Sequence, residues 1–271
     1  MPNHAPDVSV IIPTYNYGGF IARAVDSVLS QSYRSLELLV VDDGSTDSTR
    51  EILLAYSDKR VQYLRHEHNR GKSNTRNTGI LASRGQFLAF LDSDDWWMPE
   101  KITRQIECFH EGTSHLGVVY TSAKVLNESS NTICGRLMPT SRGDVLRNLL
   151  EANKLGGGSS SVMIRRQCFD DVGCFDESLT HCEDWDMWIR IAAKNYAFDY
   201  TPEDLVILTK HHKNSSADLR GMILGREALL GKHRSLYRQY PLVHSTQHYV
   251  VGLQCFKEGM MTAGRKHFLD A

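Results

Sequence analysis

Short apolar runs alternate with helical patterns through about the first 110 residues, and this alternation constrains the fold more than any other feature. The runs cover residues 8–12, 36–41, 61–64 and 87–91, and amphipathic or helix-favouring stretches separate them. Strands that alternate with helices form parallel sheets, because each helix returns the chain to the same end of the sheet. The sequence therefore predicts an α/β fold with a mostly parallel, twisted central sheet flanked by helices.

The alternation loosens in the second half of the chain. The pattern there predicts strands over residues 118–120 and 162–164, a helix over residues 183–193 and an extended segment over residues 196–208. Six small residues at 156–161 fit either a linker or a loop that folds over a ligand. Beyond Lys210 the pattern is helical to the end and is broken at Pro241, which predicts a helical C-terminal extension.

Composition and charge exclude several classes of protein. The 271 residues include 31 Lys and Arg against 32 Asp and Glu, whereas a dedicated nucleic-acid-binding protein usually has a strong basic excess. No apolar run approaches the roughly 20 residues that span a bilayer, and no secretory signal pattern is visible. The six cysteines form no Cys-x-x-Cys pair, which favours reduced thiols. We therefore expect a cytoplasmic protein that binds no nucleic acid.

Aspartates follow two of the predicted strands at the point where each strand ends. Asp42 and Asp43 follow the second strand, and Asp92, Asp94 and Asp95 follow the fourth. Ligands bind at the carboxyl ends of strands in open α/β sheets, and clustered carboxylates repel one another unless a cation or a hydrogen-bonding ligand is present. Asp92 and Asp94 point the same way if the segment is extended. This pair predicts a Mg²⁺ or Mn²⁺ site whose coordination is completed by diphosphate oxygens.

Four ordered motifs together resemble family 2 glycosyltransferases of the GT-A fold. They are VSVIIPTYN at residues 8–16, VDDGSTD at residues 41–47, NRGKSNTRN at residues 69–77 and LDSDDW at residues 91–96. The resemblance extends to about residue 209. It implies an inverting enzyme that takes a sugar from a nucleotide-sugar donor.

The resemblance implies which residues form the nucleotide pocket. Pro13, Thr14 and Tyr15 would line it, with the Tyr15 ring stacked on the base. Asp43 would accept a hydrogen bond from an imide N–H, which uracil and thymine carry and adenine lacks, and UDP-sugars are the expected donors. Arg76 would approach the nucleotide or its diphosphate. The residues alone leave open a packed core ring for Tyr15 and a solvated charge for Arg76.

The resemblance also implies a metal motif. Asp92 and Asp94 would form it, with Asp94 preferred as the direct ligand, and Ser93 between them would belong to the donor-binding residues. His211 or His212 would face the metal or the diphosphate, since many family members have a histidine followed by serines near this position. A pair of surface histidines is the alternative.

Glu183 and Asp184 begin the helix predicted over residues 183–193. The free N–H groups and the helix dipole stabilise a carboxylate there, so it should stay ionised at neutral pH, as a general base must. The family has a Glu-Asp motif whose aspartate deprotonates the acceptor hydroxyl, and the resemblance therefore implies Asp184 as the base. Asp186 fits this role less well, and helix capping alone is the alternative for Asp184.

The implied reaction transfers a sugar to a hydroxyl of a glycan or a lipid-linked glycan. A catalytic domain would cover residues 1–212, with a nucleotide-binding half over about 1–110 and an acceptor half over about 111–212, and residues 213–271 would form the helical extension. The alternatives are a non-catalytic sugar-nucleotide or glycan-binding module and a haloacid-dehalogenase-like phosphatase. The phosphatase leaves Asp184 unexplained, and an intact Asp184 beside a metal motif argues against lost catalysis.

The charge is unevenly distributed along the chain. From Lys210 to the end there are ten Lys and Arg against four Asp and Glu, so the rest of the chain has a net charge of −7. A basic helical stretch predicts an anionic partner. The candidates are a lipid-phosphate acceptor, the inner membrane face in a peripheral contact, or an acidic patch on a second subunit of a homodimer. A solvated helical face is the alternative.

Overall fold

The computed structural model describes residues 5–211 and 218–271, and its strands form one nine-stranded sheet. The first elements are β1 (Val8–Thr14), α1 (Gly18–Leu29), β2 (Leu36–Asp42), α2 (Thr49–Leu54), β3 (Val61–Arg65), α3 (Lys72–Ala82), β4 (Phe87–Phe90), β5 (Trp96–Trp97) and α4 (Lys101–Glu111). The predicted alternation of strands and helices is confirmed, with the two-residue β5 as an addition.

The second half of the sheet is more irregular. Its elements are β6 (Leu116–Asn127), β7 (Thr132–Leu137), α5 (Leu146–Glu151), α6 (Gly158–Ser161), β8 (Met163–Arg165), α7 (Arg166–Val172), α8 (Glu183–Ala193) and β9 (Ala197–Lys210). The strand predicted over residues 118–120 lies within the buried part of the longer β6, which continues because β7 and β9 pair with it on either side. In the second half of β6, apolar and polar side chains alternate too weakly for the sequence alone to predict a strand.

The strand order across the sheet is β3-β2-β1-β4-β8-β6-β9-β5, with β7 paired to β6. The strands β3, β2, β1 and β4 are parallel, whereas β8 runs antiparallel to β4 and β6. The long strand β9 is parallel to β6, so the sheet is mixed but most of its long strands run in one direction, as predicted. Because parallel strands end together, Thr14 at the end of β1 pairs with Asp42 at the end of β2.

Both faces of β1, β2 and β4 are buried, which explains their apolar runs, whereas the edge strand β3 is only half-buried. Ile11 and Leu39 face one side of the sheet and pack in a cluster with Trp188 of α8. Val10 faces the other side and packs with Ile21 of α1 and other residues of that cluster. Alternate side chains of a strand point to opposite faces, so two cores hold the carboxyl ends of the strands in place.

The small-residue segment 156–161 belongs to the core, so the linker interpretation is wrong. Gly157 and Gly158 have positive φ angles of 84° and 55° and turn the chain into α6. A Cβ on Gly157 would lie 2.8 Å from Cβ of Ser161. Ser160 is buried in this turn, and its hydroxyl donates to Oδ2 of Asp95 over 2.6 Å.

Residues 218–271 contain four helices: α9 (Leu219–Lys232), α10 (Arg234–Tyr237), α11 (Pro241–Lys257) and α12 (Met261–Asp270). Pro241 is the first residue of α11, where its missing N–H has no helical partner to lose. Ile223 of α9 and Val251 of α11 share one hydrophobic cluster with Trp185 of α8. The predicted domain boundary between residues 212 and 213 lies outside the described residues. Within the described ranges, no helix has the length and apolar character needed to cross a membrane.

Asp186 joins α8 to α9 through a buried ionic cluster. Its carboxylate is fully buried and lies 2.8 Å from Nε of Arg190, 2.9 Å from Nζ of Lys232 and 2.8 Å from Nε2 of His233. Burial opposes its ionisation, but these partners outweigh it and lower the pKa of Asp186. Asp186 is therefore a structural residue that links α8 to the end of α9.

Asp186→Asn should lower the free energy of unfolding by about 3 kcal/mol, because Arg190 and Lys232 would lose a fully buried anionic partner. Urea denaturation followed by circular dichroism measures this change. Asp176→Asn is the matched control, since Asp176 also pairs with Lys232 but is partly exposed, and its loss should cost less than about 1 kcal/mol. Equal losses in the two variants would contradict the assignment.

Candidate active site

A cavity of about 670 Å³ lies at the carboxyl ends of β1, β2 and β4. The predicted site residues that line it are Pro13, Thr14, Tyr15, Asp43, Asp92, Ser93 and Asp94. Three others, Arg76, Asp184 and His211, are not among its lining residues. The cavity occupies the edge at which open α/β sheets bind ligands.

The end of β1 presents polar groups and a ring to this cavity. Tyr15 is 42% exposed, so it is not a packed core ring. Oγ1 of Thr14 is buried and has no hydrogen-bond partner in the part of the chain that the structure describes. A buried hydroxyl without a partner is unfavourable.

Asp43 organises the loop that forms one wall of the cavity. Its Oδ1 accepts from the backbone N–H of Arg70 over 2.9 Å and lies 2.7 Å from Nδ1 of His66, and its Oδ2 accepts from the N–H of Gly71 over 2.9 Å. A carboxylate has about four acceptor positions. One position on Oδ2 therefore remains for a ligand N–H, which fits the predicted contact with a base.

The carboxylate of Asp92 lies between two cations, Lys72 and Arg76. Oδ2 of Asp92 lies 3.0 Å from Nζ of Lys72, and Oδ1 lies 3.0 Å from Nη2 of Arg76. Nη1 of Arg76 donates to Oε1 of Glu183 over 2.7 Å. Although burial alone would raise it, Lys72 and Arg76 lower the pKa of Asp92 to about 2.

The predicted role of Arg76 needs correction. Its side chain is fully buried between two carboxylates, so it is neither a solvated charge nor a lining residue of the cavity. Lys72 lies one turn earlier on α3 and does line the cavity. The structure thus offers Lys72 as the cation for a ligand, while Arg76 positions Asp92 and Glu183.

Asp94 and His211 form a pair of side chains beside the cavity that suits a metal ion. Nε2 of His211 lies 2.9 Å from Oδ2 of Asp94, and the His211 ring stacks on Phe20 with centroids 5.0 Å apart. Burial and the charge of Asp92 raise the pKa of Asp94, so a cation beside it is favourable. Carboxylate and imidazole together suit first-row divalent ions. His212, the alternative ligand, lies outside the described residues.

Asp184 lies in the first turn of α8. Its Oδ1 accepts from the N–H of Trp185 over 2.7 Å, and Nδ2 of Asn153 lies 3.5 Å from its Oδ2. Burial and the charge of Glu183 raise the pKa of Asp184 to about 6. The helix dipole alone would lower this pKa, but the effect of burial is larger and raises it. A carboxyl group with this pKa is still mostly ionised at neutral pH.

The short helix α6 lies between Asp184 and the acidic motif after β4. A Cβ on Gly158 would lie 3.9 Å from Oδ2 of Asp184. Two residues later, Oγ of Ser160 accepts from the N–H of Asp92 over 3.1 Å and donates to Asp95. The segment 156–161 is therefore hydrogen-bonded to the acidic motif and passes close to Asp184.

Lys72 and Asp95 are site residues that the sequence interpretation did not assign. Lys72 and Arg76 are four residues apart, a spacing that places two side chains on one face of a helix. The polar composition of residues 69–77 is typical of a loop, whereas α3 in fact begins at Lys72. Asp95 is buried, and its Oδ1 accepts from the N–H of Thr209, which joins the motif to β9.

Comparison with known proteins identifies the family. The family described as Glycosyl transferase family 2 matches residues 9–173. The Escherichia coli protein UDP-Glc:alpha-D-GlcNAc-diphosphoundecaprenol beta-1,3-glucosyltransferase WfgD is 34% identical over 188 residues, which are 69% of this chain and 70% of that protein. The chain belongs to glycosyl transferase family 2. An uncharacterized glycosyltransferase of Rickettsia prowazekii is 31% identical, and the match covers 69% of this chain and 59% of that protein.

Solved structures show that this transferase has the GT-A fold. Staphylococcus aureus TarS 1-349, solved with UDP-GlcNAc, matches with a TM-score of 0.65 and 19% identity over 93% of this chain and 73% of that chain. Mannosyltransferase PcManGT of Pyrobaculum calidifontis, solved with GDP-Man and Mn²⁺, matches with a TM-score of 0.66 and 17% identity over 98% of this chain and 75% of that chain. The predicted fold class is confirmed.

Proposed function

We propose that this transferase moves a sugar from a UDP-sugar to a hydroxyl of a glycan or lipid-linked glycan, with inversion at the anomeric carbon and with the help of Mg²⁺ or Mn²⁺. One observation carries the proposal. A single cavity at the carboxyl ends of the strands combines a hydrogen-bond acceptor on Asp43, a cation on Lys72 and the carboxylate of Asp94. These groups match the base, the diphosphate and a metal ion, respectively.

The nucleotide would lie against the end of β1. Tyr15 would stack on the base, and the remaining acceptor position on Asp43 would receive its imide N–H. Pro13 and Thr14 would form the adjoining wall, with Ser93 across the cavity. The E. coli relative named for UDP-Glc and the TarS complex with UDP-GlcNAc support a uracil nucleotide. Guanine also carries such an N–H, and PcManGT was solved with GDP-Man, so GDP-sugars belong in the test.

The diphosphate would lie between Lys72 and the acidic motif. Asp94 and His211 would hold the divalent metal ion, which would neutralise charge that develops on the leaving diphosphate. Asp92 keeps Lys72 in place through the 3.0 Å contact between Oδ2 and Nζ. Lys72 adds a second positive charge at the same side of the cavity, where it would stabilise the departing group.

Asp184 would remove the proton from the acceptor hydroxyl as that oxygen attacks the anomeric carbon. The C–O bond to the diphosphate breaks as the new glycosidic bond forms, so a single displacement inverts the configuration. The pKa of about 6 suits a base that works near neutral pH. A separate protein nucleophile is unnecessary in this mechanism.

Two observations favour a lipid-linked acceptor. The printed name of the E. coli relative includes a diphosphoundecaprenol-linked sugar, and the surplus of six positive charges after residue 209 suits an anionic lipid or membrane surface. Transfer of labelled sugar to a diphospholipid-linked sugar, compared with the same sugar in free form, tests this choice. Equal transfer to both would contradict a lipid-linked acceptor.

Asp94→Asn tests the proposed metal-assisted donor site. We expect the wild-type chain to release UDP from a UDP-sugar in the presence of Mn²⁺, and EDTA to stop the release. Loss of the Asp94 carboxylate should lower kcat by about 100-fold or more, because charge on the leaving group loses its stabilisation. Asp170→Asn, which changes an exposed carboxylate on α7, should keep full activity. Binding of nucleotide sugars without turnover would instead support the non-catalytic module.

A further inference from the structure

The C-terminal helices bring a second group of ionisable side chains together, outside the cavity. Nε2 of His267 on α12 lies 2.7 Å from Oε1 of Glu227 on α9, and Nδ1 of His267 lies 2.9 Å from Nδ1 of His248 on α11. Nε2 of His248 lies 3.1 Å from Nε2 of His244, one turn earlier on α11. The proposed transfer reaction uses none of these groups.

Cys255 completes a set of three potential metal ligands. Each of Glu227, Cys255 and His267 offers one ligand atom, and the three atoms lie within 4.8 Å of one another. Cys255 and His267 are buried, and Glu227 is half-buried. The three residues come from three different helices, α9, α11 and α12, so an ion bound here would link all of them.

Close packing of α11 on α12 creates this arrangement. A Cβ on Gly264 would lie 2.9 Å from the Phe256 ring, and a Cβ on Gly252 would lie 3.1 Å from the Phe268 ring. The two helices therefore approach each other at glycines. Cys255 and His267 each follow their contact glycine by three residues, which places both donors beside the crossing point.

We propose that Glu227, Cys255 and His267 bind a divalent transition-metal ion, with Zn²⁺ as the ion that this donor set favours. Thiolate, imidazole and carboxylate are the ligands zinc takes in proteins, and three protein ligands leave a fourth position for water. An adjoining cavity of about 760 Å³, lined in part by Glu227 and His267, gives the ion a route of entry.

The histidine contacts supply the support that metal-binding imidazoles usually have. With Nε2 of His267 on the ion, its Nδ1–H donates to Nδ1 of His248, and Nε2–H of His248 donates to Nε2 of His244. Such outer contacts fix the tautomer and orientation of the ligating ring. Without the ion, Nε2 of a neutral His267 donates to Glu227 and the other two hydrogen bonds run in the opposite direction.

The charges also balance when the ion is bound. The Cys255 thiol releases its proton to solvent, and thiolate and carboxylate then neutralise the two positive charges of the ion. Burial and the neighbouring Glu227 raise the pKa of Cys255, so the thiol stays protonated without a metal. This donor set differs from the Asp94 and His211 pair because it contains sulfur, and a thiolate-specific signal therefore separates the two sites.

Cobalt titration of the full, tag-free, metal-stripped chain tests the proposal. We expect one equivalent of Co²⁺ to produce a thiolate-to-cobalt charge-transfer band. Cys255→Ser should abolish this band, whereas Cys134→Ser, which changes an exposed thiol, and Asp94→Asn should leave it intact. No band in the wild-type chain, or a band that persists in Cys255→Ser, would overturn the proposal.

Two milder variants keep the test decisive if Cys255→Ser does not fold. Replacement of the half-buried Glu227 by Gln removes one ligand charge, and His248→Phe removes the outer contact of His267; each should weaken cobalt binding by about 10- to 100-fold. Zn²⁺ should raise the Tm of the wild-type chain and raise that of Glu227→Gln less. Unchanged cobalt affinity in both folded variants would overturn the site. So would stabilisation by inorganic phosphate instead of Zn²⁺, because Arg234 and Lys266 also line the cavity.

Discussion

Asp184→Asn should lower kcat for sugar transfer by about 10²- to 10⁴-fold, the usual contribution of a general base. The side chain keeps its size, so donor binding should change little. Asp184 does not line the donor cavity, and its removal should therefore affect the chemical step and not the dissociation constant for the UDP-sugar. Steady-state kinetics with saturating acceptor, together with calorimetric titration of the donor, separate the two quantities.

The pH profile gives this prediction a second readout. The base must be ionised, and the pKa of Asp184 is raised to about 6, so activity should fall as the pH drops through 6. One unit below that pKa, about a tenth of the base is ionised, and kcat should be about tenfold lower than at neutral pH. The residual activity of Asp184→Asn should lack this step.

The exposed variant Asp170→Asn again provides the matched control, and it should retain both the rate and the acidic limb of the profile. A folded Asp184→Asn variant with the wild-type rate would refute the assignment of the base. If the variant lost donor binding in the same proportion as kcat, Asp184 would instead be a structural capping residue.

Arg76→Met should lower the free energy of unfolding by about 3–5 kcal/mol, because Asp92 and Glu183 would each lose a buried cation. The guanidinium also lowers the pKa of Asp184. Its loss should therefore move the acidic limb of the activity profile to higher pH. Urea denaturation measures the first effect, and the pH dependence of kcat measures the second.

A double variant separates positioning from direct contact with the nucleotide. Arg76→Met combined with Glu183→Gln removes both partners of the 2.7 Å pair, so part of the lost stability should return. The exposed pair Arg104 and Glu107 on α4 offers a control, since Arg104→Met should leave the Tm and the pH profile unchanged. A stable Arg76→Met variant whose only defect is weaker UDP binding would support the original assignment to the diphosphate.

The contrast between Lys72 and Arg76 shows the limit of sequence interpretation at this site. Both cations belong to one polar segment, and the resemblance singled out Arg76 for the ligand. Only the start of α3 at Lys72 and the contact of Arg76 with Glu183 at the start of α8 decide which cation is buried and which lines the cavity. The burial of Arg76 depends on Glu183, which lies more than 100 positions later in the chain. No local sequence pattern shows this contact.

The sequence by itself determined the α/β class, the edge of the sheet that carries the site, and the family. These follow from local causes: apolar runs end in aspartates, and parallel strands bring their ends together. Tertiary structure decided the rest. It reversed the expected pKa shift of Asp184 through burial and the charge of Glu183, and it turned the segment 156–161 into a buried turn. It also placed Glu227, Cys255 and His267 side by side. Each of these outcomes depends on long-range packing, in which desolvation and the charges of distant residues outweigh local preference.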